Sequence, residues 1–333
     1  MTSPIWTPSA ERVDKAVVTR FRVCVNARRQ LALADYAALE SWSLEAPADF
    51  WSELARFSDT RADWGSGPVL DNGDRMPGAR WFPAARLNFA ENLLRHRDEH
   101  AALVFVNERG TRREISRREL QDEVARVAEG LRALGVGAGD RVAGFLPNLP
   151  EAVVAMLASA SLGAAWSSCS PDFGVNGVLD RFGQIAPKVL FTADGYFYAG
   201  KTLDSLEPMA TVASQLPGLE SVVVVPYVNA RPDIRALPRA VHYADFGRAG
   251  AQLRFTRLPF DHPLYILYSS GTTGKPKCIV HGAGGTLLQH QKEHLLHIDL
   301  RAGDRLFYFT TCGWMMWNWL VSGLASGATL VLY

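Results

Sequence analysis

The sequence predicts an α/β fold built on a mainly parallel, helix-covered sheet. Three observations carry this. From about residue 101 onward, strand-length apolar runs alternate with helix-length segments, the pattern of repeated βα units. The strand runs, such as KVLFTA (188–193) and SVVVV (221–225), are apolar at successive positions, as strands buried on both faces are. Gly135 and Pro150 stand where a helix end and a helix first turn call for them.

Taken in order, residues 1–100 are rich in tryptophan, arginine and turn residues. YAALESWSLEAPADFWSELARF (36–57) has helical spacing, with Trp51, Leu54 and Phe57 on one face. DWGSGPVLDNGDRMPG (63–78) reads as loop, and WFPAARLNFAENLLRHR (81–97) follows it. AALVFV (101–106) is a strand, and SRRELQDEVARVAEGLRALG (116–135) is an amphipathic helix with Leu120, Val124, Val127 and Leu131 on its stripe. RVAGFLP (141–147) is a strand, and Pro150 to Gly163 a largely buried helix. Further strands fit at 188–193, 221–225, 264–268, 277–282, 305–310 and 328–333, and helices at 175–186, 203–215, 283–297 and 314–326.

Of 333 residues, 48% are hydrophobic and 21% charged, a globular composition. The formal net charge of +1 gives no electrostatic support to nucleic-acid binding. The cysteines (Cys24, Cys169, Cys278, Cys312) have no C-x-x-C spacing and no zinc pattern, so buried reduced thiols are expected. The first residues, MTSPIWTPSAERV, lack a basic-then-apolar signal, and the cytoplasm is the expected location. Residues 151–166 are too short for a membrane span. Residues 313–333 carry Asn318, Ser322 and Ser326 and end as a strand, so a packed helix and a buried strand explain them better.

The stretch YSSGTTGKPK (268–277) concentrates hydroxyls, glycines and lysines. Such clusters also make ordinary surface turns. This one leaves the end of an apolar strand, where ligands bind in open α/β sheets. Gly271 and Gly274 allow close backbone approach, so that successive N–H groups can form an anion-binding concavity. Lys275 adds a charge, and Ser269, Ser270, Thr272 and Thr273 add short donors. Lysine is otherwise scarce: only six occur, and Lys275 and Lys277 are two of them. A Walker loop needs G-x-x-x-x-G-K-[ST] opening a helix. Here the spacing is shorter, and Pro276 leads into KCIVHG (277–282), another strand.

The longer run YSSGTTGKPKCIVHGAGG (268–285) resembles the phosphate-loop signature of AMP-forming acyl-CoA synthetases, within the adenylate-forming superfamily. The resemblance implies that a carboxylate attacks ATP to give an acyl-adenylate, which coenzyme A then intercepts. It implies the large N-terminal domain of the adenylate-forming fold. LNFAENLL (87–94) resembles the N-terminal cap of short-chain members. Residues 1–97 are therefore expected to form a cap region, and 98–333 part of the AMP-binding domain. The family's magnesium-holding glutamate and mobile C-terminal domain with its adenylation lysine have no matching motif here, so this is expected to be an N-terminal portion, with ligands for Mg²⁺ outside it.

The same resemblance implies site residues. Ser269, Ser270, Gly271, Thr272, Thr273, Gly274 and Lys275 would bind the ATP phosphates, Lys275 carrying the catalytic charge. In TTCGWMMWNWLVSGLASG (310–327), Trp314 matches an aromatic gate, and Met315, Met316, Trp317 and Asn318 would wall the acyl pocket. Trp314, Trp317 and Trp319 cannot all point inward from one helix; Leu320 and Leu324 read as core. The GWMMWNW form resembles members acting on acetoacetate, and Asn318 could donate to a 3-keto oxygen, although a structural role explains it equally. Gly200 and Lys201 align with a coenzyme A motif whose first arginine is missing. His281 reads as structural. His290, His294 and His297 have helical spacing but the order H-Q-K-E-H, which favours a solvated or partly buried helix face over zinc. Three alternatives stay open: a synthetase for acetate or another short acid, an adenylating enzyme that loads a carrier protein, and a non-catalytic nucleotide- or partner-binding module.

Overall fold

The computed structural model describes residues 5–269 and 274–333. Its centre is a seven-stranded sheet. From one edge to the other run Ala240–His242, Ser221–Val225, Val189–Ala193, Arg141–Phe145, Ala165–Cys169, Pro263–Ser269 and Lys277–Gly282. All neighbours are parallel except the last two strands, which form an antiparallel hairpin. Successive side chains on a strand face opposite ways, and here both faces are dry. Val142, Val189, Phe191, Val223 and Val225 join a core with the helices Arg117–Ala133 and Pro150–Leu162. Ala143, Phe145, Leu190, Val222 and Val224 pack instead with the helices Val175–Ile185 and Leu206–Gln215. This is why those strands read as unbroken apolar runs.

A second sheet orders Arg305–Phe307, Thr329–Leu332, Ala101–Val106 and Arg112–Ser116, with only the last pair antiparallel. Ser116 closes that hairpin and caps the next helix: its hydroxyl accepts from Glu119 N, and the Glu119 carboxylate accepts from Ser116 N, a capping box. Among residues 5–60, the helices Val17–Arg29, Tyr36–Glu45 and Pro47–Phe57 gather Phe21, Val25, Leu39, Phe50 and Leu54 into a third core that also takes in Leu296. No helix among the described residues is long and apolar enough to cross a membrane.

Several expectations need correction. The helix over 36–57 is two helices. Pro47 has no N–H to continue the first and sits in the opening turn of the second. The strand over 305–310 ends at Phe307. Arg112–Ser116 and Ala165–Cys169 are strands that composition hides, since RREIS is mostly charged and AWSSC is interrupted by two serines. Cys169 and Cys312 are buried as expected, but Cys24 and Cys278 are exposed.

Two glycines test this packing. A Cβ on Gly144, in a central strand, would lie 2.6 Å from the Trp166 ring. Gly183, exposed on the helix Val175–Ile185, has nothing within 4 Å. Gly144→Ala should therefore destabilise the protein by about 1–3 kcal/mol, and Gly183→Ala should stabilise it by about 0.5–1 kcal/mol. Urea unfolding of both variants checks the pair of opposite signs.

Candidate functional site

The hairpin at the sheet edge carries the hydroxyl- and glycine-rich loop. Six partner pairs, from Pro263↔Gly282 to Ser269↔Lys277, zip the two strands up to the loop, with one irregularity between Pro263 and Tyr265. The loop thus joins two strands and opens no helix, as its sequence implied. Ser170 of the neighbouring chain segment is buried. Ser167 Oγ lies 2.9 Å from the Ile266 carbonyl and 3.0 Å from the Tyr268 hydroxyl, which ties the outgoing strand to its neighbour. Ser270, Gly271, Thr272 and Thr273 lie outside the described residues. Ser269 ends the outgoing strand half-buried, and Gly274 (φ 93°) and Lys275 stand exposed at the return.

The helix Val175–Ile185 braces that return. Lys275 Nζ lies 3.7 Å from Asp180 Oδ1. Both groups are largely exposed, so this pair contributes little stability. Gln184 Nε2 donates to the Pro276 carbonyl at 2.8 Å. The Arg181 guanidinium stacks 4.2 Å over Phe173 and 5.7 Å from the Tyr268 ring. No motif in the sequence singles out Asp180, Arg181 or Gln184; only their i, i+1 and i+4 spacing on a helix beside the loop could have done so.

The chain approaches the same sheet edge again through Cys312–Trp314. The Cys312 carbonyl accepts from Ser168 Oγ at 2.6 Å, and a Cβ on Gly313 would lie 3.3 Å from Ser170 N. Trp314 is 66% exposed and sits at the N-cap of the helix Met315–Ser322. Met315 is partly exposed, and Met316 packs against the main core. Trp317 points into that core, fully buried, and its indole donates to Asn148 Oδ1 at 2.9 Å. It therefore anchors the helix and does not face the cleft described next. As expected, the three tryptophans do not all point inward, Trp314 being exposed and Trp317 and Trp319 buried; Leu320 and Leu324 are core.

A cleft of about 820 Å³ runs beside the returning hairpin strand, lined by Val280, His281, Gly285, Gln289, His290 and Met315 among others. Lys277 and Val280 are three residues apart on that strand, so the cleft begins about 10 Å from the loop. His290 and His294 are not on a solvated face. Both are buried, His294 completely, where the helix Ala283–Lys292 passes into a π-helical turn at Glu293–His297. His290 Nδ1 is 2.7 Å from Ser322 Oγ. The His294 and Trp319 rings lie 4.5 Å apart. Among the described residues no group of three or more His, Cys, Asp or Glu could hold a metal ion.

Gly200 and Lys201 lie at the turn of a separate hairpin, Gly195–Tyr198 with Lys201–Asp204. Gly200 needs its positive φ of 77° for that turn. Arg109, from the loop after Ala101–Val106, reaches across: its Nη2 donates to the Gly200 carbonyl at 2.9 Å, and its guanidinium stands 5.1 Å from the Phe197 ring. The Gly200 N–H donates to Glu108 Oε1 at 3.0 Å. A guanidinium absent from the local sequence thus arrives from a loop about ninety residues away. No local spacing in the sequence could show this.

Comparison with known proteins matches residues 89–333 to the family described as AMP-binding enzyme, and residues 36–93 to the acetyl-coenzyme A synthetase N-terminus. The chain is 52% identical over 336 residues to an acetoacetyl-coenzyme A synthetase of Rhizobium meliloti (strain 1021), covering 99% of this chain and 51% of that one. It is 45% identical to a malonamoyl-CoA synthetase of Penicillium aethiopicum, covering 99% of this chain and 47% of that one. The solved acetoacetyl-CoA synthetase from Streptomyces lividans superposes with a TM-score of 0.95 at 45% identity, over 100% of this chain and 51% of that one. The chain spans about half the length of the curated relatives it matches.

The buried histidines make stability depend on pH. Burial lowers the His290 pKa to about 3 and that of His294 to about 4. Unfolded imidazoles take up a proton near pH 6.5, whereas these stay neutral in the fold. Their contribution is full above pH 6.5 and is lost as pH falls toward about 4 for His294 and about 3 for His290, with a slope of at most about 1.4 kcal/mol per pH unit per histidine. His294→Gln should flatten the fall in urea-unfolding free energy between pH 6.5 and 4.5. An unchanged slope would contradict the neutral buried state.

Proposed function

The chain belongs to the AMP-binding enzyme family, and from that membership and the hairpin geometry we propose that the full-length protein is an acid–thiol ligase. A carboxylate oxygen attacks the α-phosphorus of ATP, and the bond to the β-phosphate bridging oxygen breaks, releasing pyrophosphate. The coenzyme A sulfur, as thiolate, then attacks the acyl carbon, and AMP leaves. The observation that carries this reading is the loop between Ser269 and Lys275, held at both ends by one antiparallel strand pair and edged by the exposed Lys275 and Lys277.

Lys275, the backbone N–H groups around Gly274 and the hydroxyls of Ser269, Ser270, Thr272 and Thr273 would draw negative charge toward the leaving pyrophosphate, with Gly271 giving the loop room to close. This role is electrostatic, and preorganised donors of this kind are a large part of catalysis. Trp314, exposed at the N-cap of the helix Met315–Ser322, would close over the reacting acyl group, and Met315 would wall the cleft. Met316 and Trp317 would shape that wall from the core side. Magnesium would arrive with ATP and mask phosphate charge. The Lys201 ammonium, with the Arg109 guanidinium beside the same turn, would meet a phosphate of coenzyme A. A reaction that consumes ATP and coenzyme A fits the cytoplasm.

We take acetoacetate as the acid, on the strength of the named relatives and of Asn318. Asn318 is fully buried, and neither its Oδ1 nor its Nδ2 has a hydrogen-bond partner among the described residues. A buried amide left so costs about 1–3 kcal/mol, which a carbonyl oxygen would recover in part. Malonamate is a second reading, favoured by the Penicillium relative; its acid, too, carries a carbonyl on the third carbon.

Full-length protein should show acetoacetate-dependent ATP–pyrophosphate exchange and make thioester with free coenzyme A. No exchange with any short acid would refute the reading, and transfer to a carrier protein but not to free coenzyme A would reassign it. Gly274→Val should lower exchange about tenfold or more, because the positive φ at 274 strains a β-branched residue. Asn318→Leu should narrow the acetoacetate-over-butyrate ratio of kcat/KM; an untouched ratio would make Asn318 a structural residue.

A further inference from the structure

The helices Ala283–Lys292 and Met315–Ser322 meet along a seam whose polar atoms are short of partners. On the second helix, positions 315, 318, 319 and 322 share one face. Three of them are seen turned toward the first helix and its π-turn. Met315 lines the same cleft as His290, Trp319 stacks on His294, and Ser322 Oγ pairs with His290 Nδ1 and donates to the Asn318 carbonyl. Asn318 lies between them on that stripe. Five buried atoms there have no hydrogen-bond partner among the described residues: Asn318 Oδ1 and Nδ2, His294 Nδ1 and Nε2, and Trp319 Nε1. The Trp319 backbone lies close enough to the His294 ring to raise its pKa against the effect of burial.

Buried polar groups are as a rule paired, and each exception asks for an explanation. Five in one seam, beside a π-turn of the kind that recurs at functional sites, point to a ligand. The chemistry of the set says which kind. The neutral amide, indole and imidazole can present up to four N–H donors, and none of these groups carries a charge, because burial keeps both histidines neutral. A carboxylate would lose its hydration there without a counter-charge. An uncharged carbonyl gives up far less hydration, needs no counter-charge, and accepts from donors without offering any.

We propose that His294 and Trp319, together with Asn318, form the donor set for the carbonyl on the third carbon of the acid, and so are specificity-determining residues. This rests on the ligase reading above. The acid would enter along the cleft, whose lining includes His290 and Met315 but none of the three donor side chains, and place its second carbonyl in the seam. Butyrate, lacking that oxygen, would leave the donors unpaired, and sites built this way reject such analogues far more strongly than apolar pockets do.

The test uses the full-length protein with Trp319→Phe and His294→Phe, which keep an aromatic ring and remove the nitrogens. Each should lower the acetoacetate-over-butyrate ratio of kcat/KM about tenfold, with the loss lying mainly in the KM for acetoacetate. A purely structural pair would change both acids alike and leave the ratio where it was, which overturns the proposal. Should either variant fail to fold, the unaltered protein decides: with acetoacetate labelled with ¹³C at the third carbon, the bound carbonyl stretch should lie at or below its frequency in water. A stretch at its frequency in an aprotic solvent would overturn the proposal. Absence of exchange with every short acid would sink the ligase reading and this one together, whereas exchange with an unchanged ratio would sink this one alone.

Discussion

The pairing of Pro263–Ser269 with Lys277–Gly282 is the constraint on which the candidate site depends. Its register cannot slip. Tyr265 and Leu267 are buried on one face of the sheet, while Ile266 and Tyr268 pack into the core on the other. A one-residue shift would exchange these sets across the sheet. Fixed register brings Ser269 opposite Lys277, so the intervening loop must turn within a set span, and Lys275 can explore only the space near its root. The half-buried Tyr268 hydroxyl, held by Ser167, and the Arg181 guanidinium stacked on its ring pin the last turn of strand before the loop. An electrostatic clamp needs this stiffness, because donors that must reorganise during the reaction lose much of their effect.

The rest of the site hangs on the same sheet edge. Cys312 is tied to Ser168 in the strand beside the hairpin, and Trp317 to Asn148 at the mouth of a neighbouring strand. These two bonds set where the helix Met315–Ser322 begins and how it is rotated. Trp317 inward leaves Trp314 outward, and it turns the stripe from Met315 to Ser322 onto the helix that follows the hairpin. Both helices are therefore positioned by the strands that position the loop. ATP at the loop and the acid at the seam would be measured against one rigid frame, and sites on such frames hold geometry better than sites on loops.

Much of the frame was legible in the sequence because burial on both faces leaves unbroken apolar runs at 189–193 and 221–225, and because Pro150 and Gly163 bound their helix where expected. The strand Ala165–Cys169 escaped, although it lies in the middle of the sheet: Ser167 and Ser168 are buried there and satisfied by the hairpin and by Cys312, partners far off in sequence. His290 and His294, though not the exposed His297, depart from the expected helix face for the same reason. Their spacing is that of any amphipathic helix, and only the arrival of Trp319 and Ser322 from the next helix buries them. Arg109 beside Gly200 is a third instance. Local strand and turn signals could be read along the chain, as at the two strands of the hairpin; constellations made by tertiary contact could not.

The central claim is that the Ser269–Lys275 loop acts on the departing pyrophosphate and not on the acyl group. Pre-formed acetoacetyl-adenylate bypasses the first half-reaction, so single-turnover thioester formation from it, compared with adenylation from ATP in Lys275→Ala full-length protein, separates the two. The account predicts that adenylation slows by about 10²–10³ while thioester formation changes by far less. An equal fall in both would contradict it and make the loop a general structural element.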